Sequence, residues 1–141
     1  MRTYRYKVQT RDFGLFIGIA ADTALLDAPP VSGEAVSERV WLDAADVQDV
    51  YRGGQLALNE REIEWLRLGL RKVADSIELI ESTSHVLVTL RALEIVEADY
   101  SEVALAPALA RWMEAEFGLA PRRCGIARDS TTGQLTIDWD E

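Results

Sequence analysis

Residues 58–90 read LNEREIEWLRLGLRKVADSIELIESTSHVLVTL, and this stretch decides the fold class. Asn59 stands at an N-cap, Glu62 three residues on completes a capping-box pair, and Leu58 and Ile63 occupy the two hydrophobic-staple positions. Ile63, Leu66, Leu70, Val73, Ala74 and Ile77 then recur as one apolar stripe at helical spacing, which predicts a helix over about 60–78. Trp65 and Leu68 fall off that stripe, so the helix is expected to touch a second surface. Ser82-Thr83-Ser84 reads as a turn. Val86, Val88 and Leu90 alternate with Leu87 and Thr89, the period of a strand. A long amphipathic helix leading through a tight turn into a strong strand belongs to a layered helix-on-sheet architecture.

Towards the N-terminus the pattern is that of strands. Tyr4, Tyr6 and Val8 alternate with Arg5, Lys7 and Gln9 over residues 3–10, and Arg11-Asp12 marks a turn. Phe13 to Ala20 reads as a second strand, apolar on both faces. Gly14 and Gly18 share one of those faces, which predicts close approach by another element. Residues 22–34, with Pro29-Pro30 and Ser32-Gly33, read as a loop. Val36, Val40 and Leu42 alternate with Ser37, Arg39 and Trp41 as a third strand. Ala44 to Arg52 is ambiguous, with room for one helical turn before Gly53-Gly54 ends it. That glycine pair has no following Gly-Lys-Ser and is not a phosphate loop.

Towards the C-terminus the alternation shifts at Leu93 and Ile95, which predicts a bulge or bend near Arg91-Ala92. Asp99 with Glu102 gives a second capping signal. Val103, Leu105, Leu109, Trp112, Met113 and Phe117 follow at helical spacing. Pro107 either kinks this helix or begins it after a separate turn. Gly118 fits a C-terminal cap, and Pro121 blocks continuation. Cys124 to Arg128, a turn over Asp129 to Gly133, and Leu135, Ile137 and Trp139 complete a closing hairpin. The whole, residues 1–141, reads as a single α+β domain. It is a mostly antiparallel sheet of five or six strands with two helices packed on one face. Ile17, Leu66, Leu70, Val88, Leu109, Trp112 and Ile137 are its expected core.

Composition narrows the chemistry. The chain has 141 residues, 48% apolar and 28% charged, with one cysteine and one histidine. Internal disulfides, cysteine-cluster metal sites and multi-histidine sites are therefore excluded. The net charge of −9 opposes nucleic acid and anionic membranes and favours solubility or a basic protein partner. The first residues carry no apolar signal region, and a lone thiol fits a cytoplasmic location. The bases Arg2, Arg5, Lys7 and Arg11 gather near the start. Arg5 and Lys7 on one strand face mark a charge-protected edge.

The middle of the chain resembles a known module. A helix ending Gly69-Leu-Arg-Lys-Val-Ala74, the strand Val86-Leu-Val-Thr-Leu90, and Glu97-Ala-Asp-Tyr-Ser-Glu-Val-Ala104 together are similar to the fourth domain of translation elongation factor G, over about residues 13–118. The resemblance implies a βαβ unit with a left-handed crossover, where general chain geometry favours a right-handed one. It also implies a place in the ribosomal decoding region. The chain has no GTPase motif, so the resemblance implies a free-standing relative. Its residues 22–34 carry Asp22, Asp27 and Glu34 and no base, which departs from that family's basic tip loop and speaks against ribosomal RNA contact.

No catalytic signature stands out. Cys124 follows Arg122-Arg123, which would lower its pKa, and His85 is the one available imidazole. The two fall on strands separated by a helix, where a buried cysteine and a strand-edge histidine are the ordinary reading. Carboxylates cluster at Asp43, Asp46 and Asp49; at Glu78 and Glu81; at Glu94, Glu97 and Asp99; and at Asp138, Asp140 and Glu141. The first set has i, i+3 spacing but lacks the alternation and glycine of a calcium loop. Trp112 fits the core, whereas Trp41 and Trp139 are expected to pack under a helix. The sequence thus points to a non-enzymatic acidic binding module without cofactor or metal, engaging a protein partner of basic character. Asp138, Asp140 and Glu141 around Trp139, with Asp43, Asp46 and Asp49, are its candidate contact residues. Three readings stand: a stand-alone domain like the fourth domain of elongation factor G, an inhibitor or immunity-type protein, and an enzyme with an unrecognised site.

Overall fold

The structure, a computed structural model, describes residues 1–139. It is α+β. Strands β1 (Arg2–Gln9) and β2 (Gly14–Leu26) form a hairpin, and β3 (Glu34–Ala35), β4 (Val40–Asp43) and β5 (Gln48–Asp49) are short. Helix α1 (Glu60–Ile80), strand β6 (His85–Ile95), helix α2 (Leu105–Phe117) and the hairpin β7 (Cys124–Arg128) and β8 (Leu135–Trp139) follow. The main sheet has the order β1-β2-β6-β4-β3, with β5 also on β6, and β7 and β8 make a second sheet. β1, β2 and β6 are antiparallel neighbours, whereas β4 and β5 lie parallel to β6. β4, α1 and β6 therefore form a βαβ unit. No helix among the described residues is long and apolar enough to cross a membrane.

Local chemistry explains each element. Asn59 and Glu62 exchange both capping-box hydrogen bonds, and α1 starts where the sequence places it. Leu66, Leu70, Val73, Ala74 and Ile77 are buried as its stripe. Its far end is closed by Arg39, whose guanidinium donates to the carbonyls of Glu78 and Ser84 at 2.9 and 2.8 Å and to that of Glu81. A cation there satisfies orphan carbonyls and complements the helix dipole. The anticipated bulge is present: Ala20 faces Ala92 while Ala21 faces Leu90, leaving Arg91 as the extra residue of β6. Gly18 also has its close neighbour, since a Cβ there would lie 2.7 Å from Glu94 Oε1. Tyr6, Ile17, Ile19, Val88, Leu90, Leu109 and Trp112 join one core between the sheet and the helices.

Several expectations need correction. β2 does not stop at Ala20 but runs on through Asp22 to Leu26. Asp22 is held there by Arg91 at 2.8 Å and by the terminal ammonium at 3.2 Å, and Thr23 donates to Glu116 at 2.8 Å. Residues 36–42 are not one strand. Ser37 and the Arg39 amide both bond to the Glu78 carboxylate, which draws this segment off the sheet until Val40. Residues 44–52 hold the short β5, followed by one turn in which the Gly53 amide donates to the Asp49 carbonyl at 2.9 Å. Asp99 and Glu102 do not cap α2, whose N-cap Ala104 makes no side-chain hydrogen bond. Pro107 lies in the first turn of α2, where the missing amide has no helical partner to lose. Trp41 alternates with buried Val40 and Leu42, so it lies on the sheet face away from the helices. Ile137 is only half-buried, because its two-stranded sheet covers the core from one side.

Candidate functional site

Where the start of β3 and the end of β4 meet the first turns of α1, a cleft of about 360 Å³ opens between Gly33, Glu34, Leu42, Asp43, Glu60, Ile63 and Arg67. Gly33 allows this approach. Its φ is +88°, and a Cβ would stand 3.0 Å from the Leu42 carbonyl oxygen. At the cleft's base the Arg67 side chain, 14% exposed, is shared by three carboxylates. Its Nη1 donates to Glu60 at 2.8 Å and Glu64 at 2.7 Å, and its Nη2 to Glu34 at 3.0 Å, with Nε on the second Glu34 oxygen. Glu64 and Glu60 reach it because residues three and seven apart lie on one helical face. Glu34 arrives from the far side and ties the β2–β3 loop to α1.

Three carboxylates against Arg67 and against Arg71, which pairs with Glu64 at 3.1 Å, leave the cleft anionic. The hydrogen bonds from Arg67, then Arg71, hold the Glu64 carboxyl below its ordinary range, while those from Glu34, Glu60 and Glu64 push Arg67 upward. Both shifts deepen ionisation. That direction suits electrostatic binding of a cation; a general acid at neutral pH needs the opposite shift. The side chains of Glu34, Glu60 and Glu64 are each more than half exposed, so an incoming cation can approach them.

The residues singled out from the sequence are placed as follows. Asp43 lines this cleft, and its Oδ1 accepts the Ala45 amide at 3.1 Å. Asp46 accepts from Gln48 Nε2, and Asp49 accepts the amides of Tyr51 and Arg52. These three acids shape successive turns along the β6 edge rather than converging, and among the described residues no group of acids, His and Cys is arranged to hold a metal. Asp138 is exposed on β8 opposite Gly125. Trp139 is packed against the core, with Lys72 of α1 5.6 Å from its ring centroid. Asp140 and Glu141 lie outside the described residues.

The remaining candidates separate. Cys124 pairs with Trp139 on the second sheet, while His85 begins β6 opposite Leu26 on the main one. Burial pushes the Cys124 thiol up, opposed by Arg111; the lowering expected from Arg122-Arg123 does not occur. Glu94 pairs with Arg5 and Glu97 with Arg52, so that acidic cluster is divided among separate cations. Glu114 is not singled out by the sequence, and Glu34 is singled out only as an acid of the 22–34 segment. Buried Glu114 pairs with Arg111 at 2.9 Å and accepts the Arg122 amide at 2.7 Å, anchoring the segment after α2. Glu34 reaches Arg67 from 33 positions away. The Glu60, Glu64, Arg67 spacing could have shown half of the cleft; nothing local shows the other half. No protein-family model matches the chain, and no curated protein matches it.

Proposed function

We propose that this chain is a non-enzymatic binding module that holds a basic protein partner, with the Glu34–Asp43–Glu60 cleft around Arg67, and Glu64 beside it, as its principal contact. The observation that supports the reading is the unbalanced charge around Arg67: three carboxylates, each more than half exposed, against the nearly buried Arg67 and the Arg71 that pairs with Glu64. Arg67 fixes the carboxylates in place while their side chains stay more than half exposed. A partner lysine or arginine entering the cleft meets acceptors already ordered, which reduces the entropy lost on binding. The chain's charge of −9 steers such a partner from a distance. Asp138 adds to this field from β8.

The test is association kinetics with a partner captured from the host by the full chain. Glu34→Gln with Glu60→Gln should slow association and flatten its dependence on salt, while leaving the fold intact. An association rate indifferent to both salt and these substitutions overturns the reading.

A second reading, a stand-alone translation-factor-like domain, draws support from the parallel β4–α1–β6 unit. Against it, the β1 bases are spoken for: Arg2 pairs with Glu116 and Arg5 with Glu94. That reading requires co-sedimentation with ribosomes, and its absence at low salt removes it.

A further inference from the structure

The β2–β3 connection leads directly into the acidic cleft. It leaves the sheet after Leu26, which faces His85 of β6, and returns at Glu34, which faces Leu42 of β4. The returning end is fixed: Gly33 lies against the Leu42 carbonyl and the Leu87 side chain, and Glu34 grips Arg67 with both carboxylate oxygens. Between the two ends Val31 is 107% exposed, the most open large apolar side chain among the described residues, and Asp27, Ala28 and Pro29 are exposed beside it. The sequence makes this segment stiff. Pro29 and Pro30 hold φ at about −65°, and Ala28 and Pro29, each preceding a proline, are pushed to extended ψ. With every peptide bond trans, these restrictions favour a short polyproline II ridge. Among the described residues no hydrogen bond engages Ala28 to Ser32, so their carbonyls are free for a partner.

We propose that this ridge is the apolar anchor of the basic partner, with Pro29, Pro30 and Val31 seated in an aromatic-lined groove of that protein. The inference rests on the function proposed above and adds the contact that holds the partner once charge has brought it in. A convex ridge requires a concave acceptor, which excludes a small ligand here. Two residues without an amide N–H exclude pairing with a sheet edge. A preformed polyproline ridge loses little entropy on binding and is taken by grooves lined with aromatic rings. Charge narrows the partner further. Asp27 precedes the ridge and Glu34 follows it, and Glu34 also lines the cleft, so one protein reaching both presents bases beside its aromatic groove. A second copy of this chain would bring its own −9 to the same place.

Photo-cross-linking followed by kinetics tests this. The full chain with p-benzoylphenylalanine in place of Val31, irradiated in host extract, should link to one basic protein through a segment holding tryptophan or tyrosine. The same group in place of Tyr51, exposed near the other end of β6, should not. Against that purified protein, Val31→Ser, and Pro29→Ala with Pro30→Ala, should each speed dissociation about fivefold or more, with association and its salt dependence unchanged. Glu34→Gln with Glu60→Gln should do the reverse and slow association. Circular dichroism confirms folding, and Val31→Ser decides the matter if the proline pair disturbs the loop. Unchanged dissociation in Val31→Ser, with association still slowed by the glutamine pair, overturns the anchor and leaves the basic-partner reading standing. Association indifferent to salt and to the glutamine pair overturns both. A link from Val31 to a second copy of this chain or to a segment without aromatic residues, or no link at all, also overturns the anchor.

Discussion

The two helices of this protein begin in opposite ways. α1 begins with two residues that satisfy each other: Asn59 Oδ1 accepts the Glu62 amide at 2.8 Å, and the Glu62 carboxylate accepts the Asn59 amide at 2.9 Å. α2 begins without any side-chain cap. Two short 3₁₀ turns at Glu97–Asp99 and Glu102–Ala104 wind into it, Ala104 donates to the Ser101 carbonyl at 3.0 Å, and Pro107 needs no amide partner. Residues Leu105 to Ala110 are buried without a break. An exposed helix start must satisfy its amides with nearby side chains, and those leave a signature in the sequence. A buried start is held by packing and by the turns that precede it, and neither leaves one.

The largest effect should fall on the buried helix. Trp112 is fully buried and its indole N–H donates to the Arg2 carbonyl at 2.9 Å, joining α2 to the edge strand. Trp112→Ala should cost roughly 3–5 kcal/mol in denaturant unfolding, the cavity and the orphaned carbonyl acting together. A loss near that of a surface residue would mean that packing does not hold this helix and that the contrast with α1 is mistaken.

Legibility follows the same division. α1, the β1–β2 hairpin and the bulge at Arg91 were readable because each rests on periodicity or neighbours close in sequence. The extension of β2 was not, because Asp22 is held in the strand by a side-chain ion pair with Arg91, 69 positions on. The break before Val40 depends on Glu78, from the far end of α1. The cleft divides in the same manner. Glu60, Glu64 and Arg67 are one helical face, but the carboxylate that closes the site comes from Glu34. Asp43, Asp46 and Asp49 drew notice for their spacing, which turns out to reflect turn formation: each accepts a hydrogen bond from a residue two or three positions on.

Where the helices meet, a second prediction sharpens the comparison. Gly69 of α1 lies against Ala106 of α2, and a Cβ at Gly69 would stand 2.1 Å from the Ala106 carbonyl oxygen. Alanine in a helix interior ordinarily gains about 1 kcal/mol over glycine. Here the obstacle is backbone and cannot rotate away, so Gly69→Ala should instead destabilise by about 1–3 kcal/mol. A stabilised variant would show that the start of α2 yields easily, against the rigidity argued for it.

Third in size is the cap of α1. Asn59→Ala should lower stability by about 1 kcal/mol, seen as a lower thermal midpoint with an unchanged denaturant slope. Glu62 also accepts the Tyr100 hydroxyl, whose pKa is raised first by burial and then by this bond. The cap thus touches the segment leading into α2. If Asn59→Ala costs nothing, the packing of α1 suffices and the two starts do not differ in kind.

The smallest effect is the most pointed. In sequence, Asp99 with Glu102 looks as good a cap as Asn59 with Glu62, since both are a short polar residue followed three later by glutamate. In the structure Asp99 closes a 3₁₀ turn, and no side-chain hydrogen bond caps the helix that follows. Glu102 makes an ion pair with Arg61 at 3.4 Å, with the arginine largely exposed. Such a pair contributes little in water. Asp99→Ala should therefore change stability by no more than about 0.5 kcal/mol, the range of an uninvolved surface position. Measured beside Asn59→Ala in the same titration, it isolates geometry from sequence pattern, because the two motifs match and the hydrogen bonds do not. A loss from Asp99→Ala equal to that from Asn59→Ala would mean that the aspartate does cap α2 in solution, and that the buried start is less self-sufficient than its packing implies.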